Sequence, residues 1–297
     1  MSTFAELTDS TLLYLYGYTT LQDQATYLTS NVAADALTMP IADGTSISRG
    51  TIEIDNELIW VDSVDSGAGT VTIPPYGRGY RGTTATTHTS GTRVVSSPLF
   101  PRRLVQQAIN ETVHAVYPDL YATAETTFTF NPAITTYALP AGAVQVLAVS
   151  WQSIGPSKEW LPVRRYRLDK HAATTVFASG ASISLYDAIV PGRTVKVIYS
   201  KAPSVMENNT DDFVTTTGLS ASAEDVIRLG AAYRMVPFFD APHLSGMSAE
   251  ADFAANMRPV GGASQLGKYL LQLYQIRLAE EARRLQDVWP IRTHYTR

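Results

Sequence analysis

Gly77-Arg78-Gly79-Tyr80-Arg81-Gly82 has the spacing G-x-G-x-x-G. Such a run binds a dinucleotide only where a strand precedes it and a helix N-terminus follows, because the helix end holds the pyrophosphate. Here the Thr-rich stretch Thr83 to Gly91 follows, a poor helix, so a glycine-shaped loop between strands is expected. Gly262-Ala263-Ser264-Gln265-Leu266-Gly267-Lys268 matches most of a Walker A loop, but Tyr269 stands where Ser or Thr must hold magnesium, and Pro259 spoils the strand before it. The histidines His88, His114, His171, His243 and His294 are scattered, with no H-x-x-x-H spacing. There is no cysteine and no G-x-S-x-G elbow. The carboxylates neither support nor refute a glycosidase pair. No metal, cofactor or catalytic residue is expected, and the chain reads as a non-enzyme.

Composition narrows the classes further. Hydrophobic residues are 45 % of the 297 and charged residues 17 %, enough apolar content for a core and too much for wholesale disorder. A net charge of -4 argues against a protein that coats nucleic acid through its phosphates. Neither a signal peptide nor a membrane span is expected. Charge is uneven. Residues 1–70 hold ten acidic residues against Arg49 alone, while residues 264–297 hold six basic against three acidic. Two solvated faces or an acidic end meeting a basic one both fit that pattern.

The elements that would carry these residues read as an α+β chain. Residues 4–28 have helical spacing, with Leu12, Leu15, Tyr16 and Leu21 as anchors. Alternation then takes over in Ile52/Ile54, Ile59/Val61 and Val71/Ile73, as in a small β-barrel or curled sheet ending near Val95. Pro101 opens a middle helix that ends by Pro118. A second alternating region, Phe128 to Tyr199 with Pro punctuation, reads as a sandwich. Ser222 is expected to cap a helix showing Val226, Leu229 and Tyr233 on one face. A last helix carries the stripe Leu266, Leu270, Leu273, Leu278, Leu285 to about Val288. The expected organisation is an N-terminal helix (1–30), a β-barrel-like module (31–98), a middle helix (99–122), a β-sandwich (123–205), C-terminal helices (218–289) and a tail (290–297). The helices would form a bundle from which both β modules project.

Ile52-x-Ile54-Asp55-Asn56-Glu57-x-Ile59-x-Val61, a turn, Val71-x-Ile73, and then Gly79-Tyr80-Arg81-Gly82-Thr83 through His88 and Gly91 resemble a small β module of tailed-bacteriophage neck and tail proteins, an acidic D-x-E strand followed by a basic glycine loop and His. The plan of the whole chain is similar to phage head-to-tail adaptors, with Asp225 to Met235 looking like their ring-packing helix. The resemblance implies a virion protein of the neck, assembled in the bacterial cytoplasm. It would be a homo-oligomeric ring of about twelve copies on the portal. Its partners would be the portal protein, the next neck or tail protein, and genomic DNA passing through without specific binding. A baseplate or fibre-attachment protein, or a carbohydrate-acting enzyme, is the alternative. Arg78, Gly79, Arg81, Gly82 and His88 would shape a loop of the β module rather than perform chemistry.

After Pro290 the tail alternates Ile291, Thr293, Tyr295 with Arg292, His294, Thr296 and ends on Arg297. Together with Trp289 these residue types suit an extended strand added to a partner's sheet edge, and the resemblance names the portal as that partner.

Overall fold

In the computed structural model, residues 2–19, 22–155, 158–237 and 262–289 are described. Those within Met1–Thr3, Val113–Val226 and Gln275–Arg297 form one compact unit, and those within Phe4–Thr112 and Ile227–Tyr274 form another. Five helices and four antiparallel sheets make up the described residues.

In the Phe4–Thr112 unit, helix α1 (Phe4–Tyr16) buries Phe4, Leu7 and Leu15. It stops well short of the 4–28 span that its spacing suggests. Gly17 donates back to the Leu13 carbonyl at 3.2 Å, and Gln24–Tyr27 becomes strand β1 instead. The cause is tertiary: β1 finds a full antiparallel partner in β7 (Arg93–Ser96). Strands β3 (Gly50–Ile54) and β4 (Glu57–Val61) complete a sheet of order β1-β7-β3-β4. A second sheet, β2-β6-β5, uses β2 (Thr38–Pro40), β5 (Ser63–Asp65) and β6 (Thr70–Thr72). The alternating residues Ile52, Ile54, Ile59, Val61, Val71 and Ile73 share one core between the two sheets.

No barrel closes. The two sheets are joined by single bridges such as Leu28↔Ile41, and the strands of the second are three residues long, too short for a continuous ladder.

Helix α2 (Arg102–Ala115) starts just after Pro101. Its first N–H, on Arg102, donates to Glu53 Oε1 at 2.6 Å, so a buried carboxylate from β3 caps it. Helix α4 (Glu224–Met235) approaches α2 and α5 (Gly262–Val288) through Gly230. A Cβ there would stand 2.4 Å from Thr112 Cγ2 and 2.9 Å from Tyr274, so only glycine fits.

The other unit carries the larger β region. A sheet of order β11-β10-β14-β8 contains β8 (Ala122–Thr129), β10 (Gln145–Gln152), β11 (Trp160–Pro162) and β14 (Thr194–Lys201). A three-stranded sheet holds β9 (Thr136–Ala138), β12 (Tyr166–Asp169) and β13 (Ser182–Leu185). Their inward residues, among them Tyr137, Val149, Ile183 and Val197, form one cluster, the arrangement of a sandwich. Short helix α3 (Phe213–Thr217) is capped by Asp212, which accepts the Thr215 N–H at 2.9 Å. Ser222 does not cap α4 as expected. It lies in a preceding 3-10 turn and donates to Glu281 Oε2 at 2.6 Å.

Candidate functional site

Glu57 opens β4 with its side chain wholly buried. A carboxylate without water needs a donor for each lone pair, and this one accepts five hydrogen bonds. Arg78 approaches bidentately, Nε at 2.8 Å from Oε1 and Nη2 at 3.0 Å from Oε2. The Gly79 and Thr86 N–H groups donate at 3.0 Å each, and His88 Nε2 lies 2.9 Å from Oε2. The other ring nitrogen of His88 lies 2.9 Å from Asp55 Oδ2.

The second layer is carbonyls. Arg78 Nη1 donates to Ala33 O at 2.6 Å and Ala36 O at 3.3 Å, and Nη2 donates to Thr86 O at 2.7 Å. His88 exchanges both main-chain hydrogen bonds with Val32, at 2.8 and 2.9 Å. The whole loop from Arg78 to His88 is therefore tied to one buried carboxylate.

Electrostatics follow the geometry. Burial alone would raise the Glu57 carboxyl, but hydrogen bonds from His88, Arg78, Thr86 and Gly79 outweigh it and hold the group at about 2. Burial would likewise lower His88, yet its bonds to Asp55 and Glu57 raise it to about 9. A doubly donating imidazolium has no lone pair for taking a proton at neutral pH. The cluster is a charge-paired link between β4 and the loop from Arg78 to His88. Elsewhere in the unit, desolvation pushes Glu53 up to about 7 despite the Arg102 N–H.

The structure thus brings Arg78, Gly79 and His88 together on Glu57, while Arg81 and Gly82 stand exposed on the outer side of the loop. Gly79 at φ 61 and Gly82 at φ 78 take left-handed conformations, and a Cβ on Gly79 would stand 2.8 Å from the Thr83 carbonyl. Arg81 adopts φ 54 without being glycine. The run Gly262 to Lys268 forms the first two turns of α5 itself rather than a glycine loop between a strand and a helix. Among the described residues, no three or more His, Cys, Asp or Glu side chains are grouped to hold a metal ion, and no helix is long and apolar enough to cross a membrane.

On the helices, Val226, Leu229 and Leu270 are buried, while Tyr233, Leu266, Leu273, Leu278 and Leu285 are half-buried. Within the α5 stripe sits a charge that periodicity does not reveal. Glu281 is buried and accepts from Ser222, Arg277 and Arg284. Trp289 and Val288 line a groove of about 340 Å³ with Leu147, Ser150, Trp160 and Tyr166. Ile291, Arg292, His294, Tyr295 and Arg297 lie outside the described residues.

Comparison with known proteins decides the class. The profile of the SU10 adaptor protein family matches residues 89–269, more than half of the chain. The chain belongs to that family. It is a family of phage head–tail adaptors, in agreement with the resemblance drawn from the sequence, and the protein is a structural phage adaptor, a component of the virion. No curated protein matches. The matched span of the adaptor takes in β7, α2, the sandwich and α4, and it begins at Thr89, immediately after His88. The Glu57 cluster of this adaptor therefore precedes the part that the family profile describes.

Proposed function

We infer that this adaptor forms a ring in the virion neck, joins the portal to the next neck or tail protein, and continues the channel through which DNA leaves the head. Membership of the adaptor family over residues 89–269 carries this reading. The helices, brought close at Gly230, Thr112 and Tyr274, would form the wall of the ring as a bundle, with Val226, Leu229, Tyr233 and the α5 leucines at its contacts. The segments 31–98 and 123–205 are the modules projecting from it. The chain serves as a structural part rather than a catalyst, and it is assembled in the host cytoplasm.

The tail from Trp289 onward is assigned to the portal, with Ile291 and Tyr295 as strand residues and Arg292, His294 and Arg297 as polar contacts. A net charge of -4 lets DNA slide past rather than adhere. Deleting the coding sequence from its phage tests the reading. Filled heads without tails, with portals lacking a ring of this chain, are the expected product. Normal tailed particles would refute it.

A further inference from the structure

Residues 57–65 and 70–79 run side by side. Asp65 pairs with Thr70 at one end, the Asp62 and Trp60 N–H groups bond the Thr72 and Gly77 carbonyls in the middle, and the Gly79 N–H meets Glu57 at the other end. At about 3.3 Å per residue the two ends lie up to about 26 Å apart.

The ends differ in charge. At the glycine-loop end Tyr76 is 70 % exposed and Arg81 is exposed, its guanidinium 5.5 Å from the centre of the Tyr80 ring. Arg78 and His88 are neutralised there by Glu57 and Asp55. Asp35 stands exposed between Ala33 and Ala36, whose carbonyls anchor Arg78, and makes no ion pair with Arg81. Arg81 is thus left without a carboxylate among the described residues. It sits in a loop that needs no ordering on contact, since Glu57 already holds it.

At the opposite end Asp43 and Asp65 lie on touching loops, a Cβ on Gly44 being 2.7 Å from Ser66 Cα. Both are exposed, Asp43 accepting from Thr45 and Ser46 and Asp65 from the Gly67 and Ala68 N–H groups. Of the cations on this side of the module, Arg49 is paired with Asp62 at 3.1 Å and Arg93 stands opposite Tyr27 in the β1–β7 ladder. Tyr27, 54 % exposed, borders them through the Ala42 N–H to its carbonyl.

Like ends repel: tip against tip opposes two Arg81 side chains, and lobe against lobe opposes aspartates. Unlike ends attract, and a contact between different patches of identical copies is the kind that closes a ring. We propose that the Tyr76–Tyr80–Arg81 tip of each copy docks on the Asp43–Asp65–Tyr27 lobe of a second copy, so that the small β modules form a collar. This rests on the ring reading and names one of its contacts.

The chain has no cysteine, so introduced thiols are its only ones. Ala68 and Thr84 are exposed beside lobe and tip. Particles carrying Ala68→Cys with Thr84→Cys, oxidised and run without reductant, are expected to give a ladder at multiples of 32.3 kDa. Each single variant is expected to stay monomeric. Arg81→Glu should cut the ladder at least about tenfold, and adding Asp43→Lys and Asp65→Lys should restore it. Absence of the ladder, same-site cross-links in the single variants, or failure of the charge swap to restore what Arg81→Glu removes would overturn the contact. Electron microscopy of the same particles reads the ring separately. A ring without the ladder refutes the collar alone, whereas particles without a ring refute both readings.

Discussion

Glu57 Oε2 and His88 Nε2 lie 2.9 Å apart, and neither side chain is exposed. Each is the other's counter-charge, with Arg78 and Asp55 completing the set. Removing one partner strands the other in a place that water does not reach. Glu57→Gln and His88→Ala are each expected to cost about 3 kcal/mol of unfolding free energy, read by urea titration. The double variant Glu57→Gln with His88→Ala should cost clearly less than the sum. Strict additivity would mean that the two groups do not act as a pair.

Stability should also depend on pH in a defined sense. His88 titrates near 9 when folded against 6.5 unfolded, so its contribution is complete below 6.5 and is lost as pH rises through 9. Glu57 titrates near 2 against 4.5, so its contribution is complete above 4.5 and is lost as pH falls toward 2. Glu53, raised to about 7 from 4.5, opposes ionisation in the folded chain and removes stability as pH climbs across that interval. The thermal midpoint is therefore expected to peak near pH 4.5 and to decline toward 9. His88→Gln should flatten the upper limb and Glu53→Gln the middle one. A variant keeping the parental slope in its own interval would assign that titration elsewhere.

Gly230 gives a packing test. The Cβ of Gly230→Ala would enter the space of Thr112 Cγ2 at 2.4 Å, a clash expected to cost about 1–3 kcal/mol. Thr112→Ser removes the offending methyl while keeping the hydroxyl that accepts from Arg234 and donates to the Ala108 carbonyl. Combining the two should recover part of the loss, with Tyr274 at 2.9 Å accounting for the remainder. No recovery in calorimetry would place the strain on Tyr274 instead.

The strands were legible where alternation was strong. Ile52/Ile54 and Ile59/Val61 lie on β3 and β4, and the inward residues of β13 and β14 form the second core. Residues 24–27 were misleading because their partner is about seventy positions away in sequence, and no local pattern reports a pairing of that range. The same holds for the cluster. The D-x-E of Asp55 and Glu57, the basic loop and His88 were visible as pieces, but nothing in one sequence shows that positions 57 and 88 meet. Glu281 was hidden for a related reason: a buried carboxylate in an apolar stripe becomes intelligible once Ser222 and Arg284 are seen to satisfy it.

The tail assignment makes the most direct functional prediction. A chain ending at Trp289 keeps the groove that this residue lines, so its melting temperature should match the full-length protein. It should nevertheless fail to retain portals in a pull-down, and phage carrying it should yield tailless heads. Infectious particles from the shortened gene would withdraw residues 290–297 from any docking role.

Arg78 touches chain that lies 45, 42, 21 and 8 positions away, at Ala33, Ala36, Glu57 and Thr86. Those contacts close several long loops at once, and none is worth much until the others exist. The Phe4–Thr112 segment should accordingly acquire its native state in one cooperative and comparatively slow event. A nascent chain halted before Arg78 has no partial version of that knot to form, so protease should digest it wholesale rather than trim it to a stable fragment.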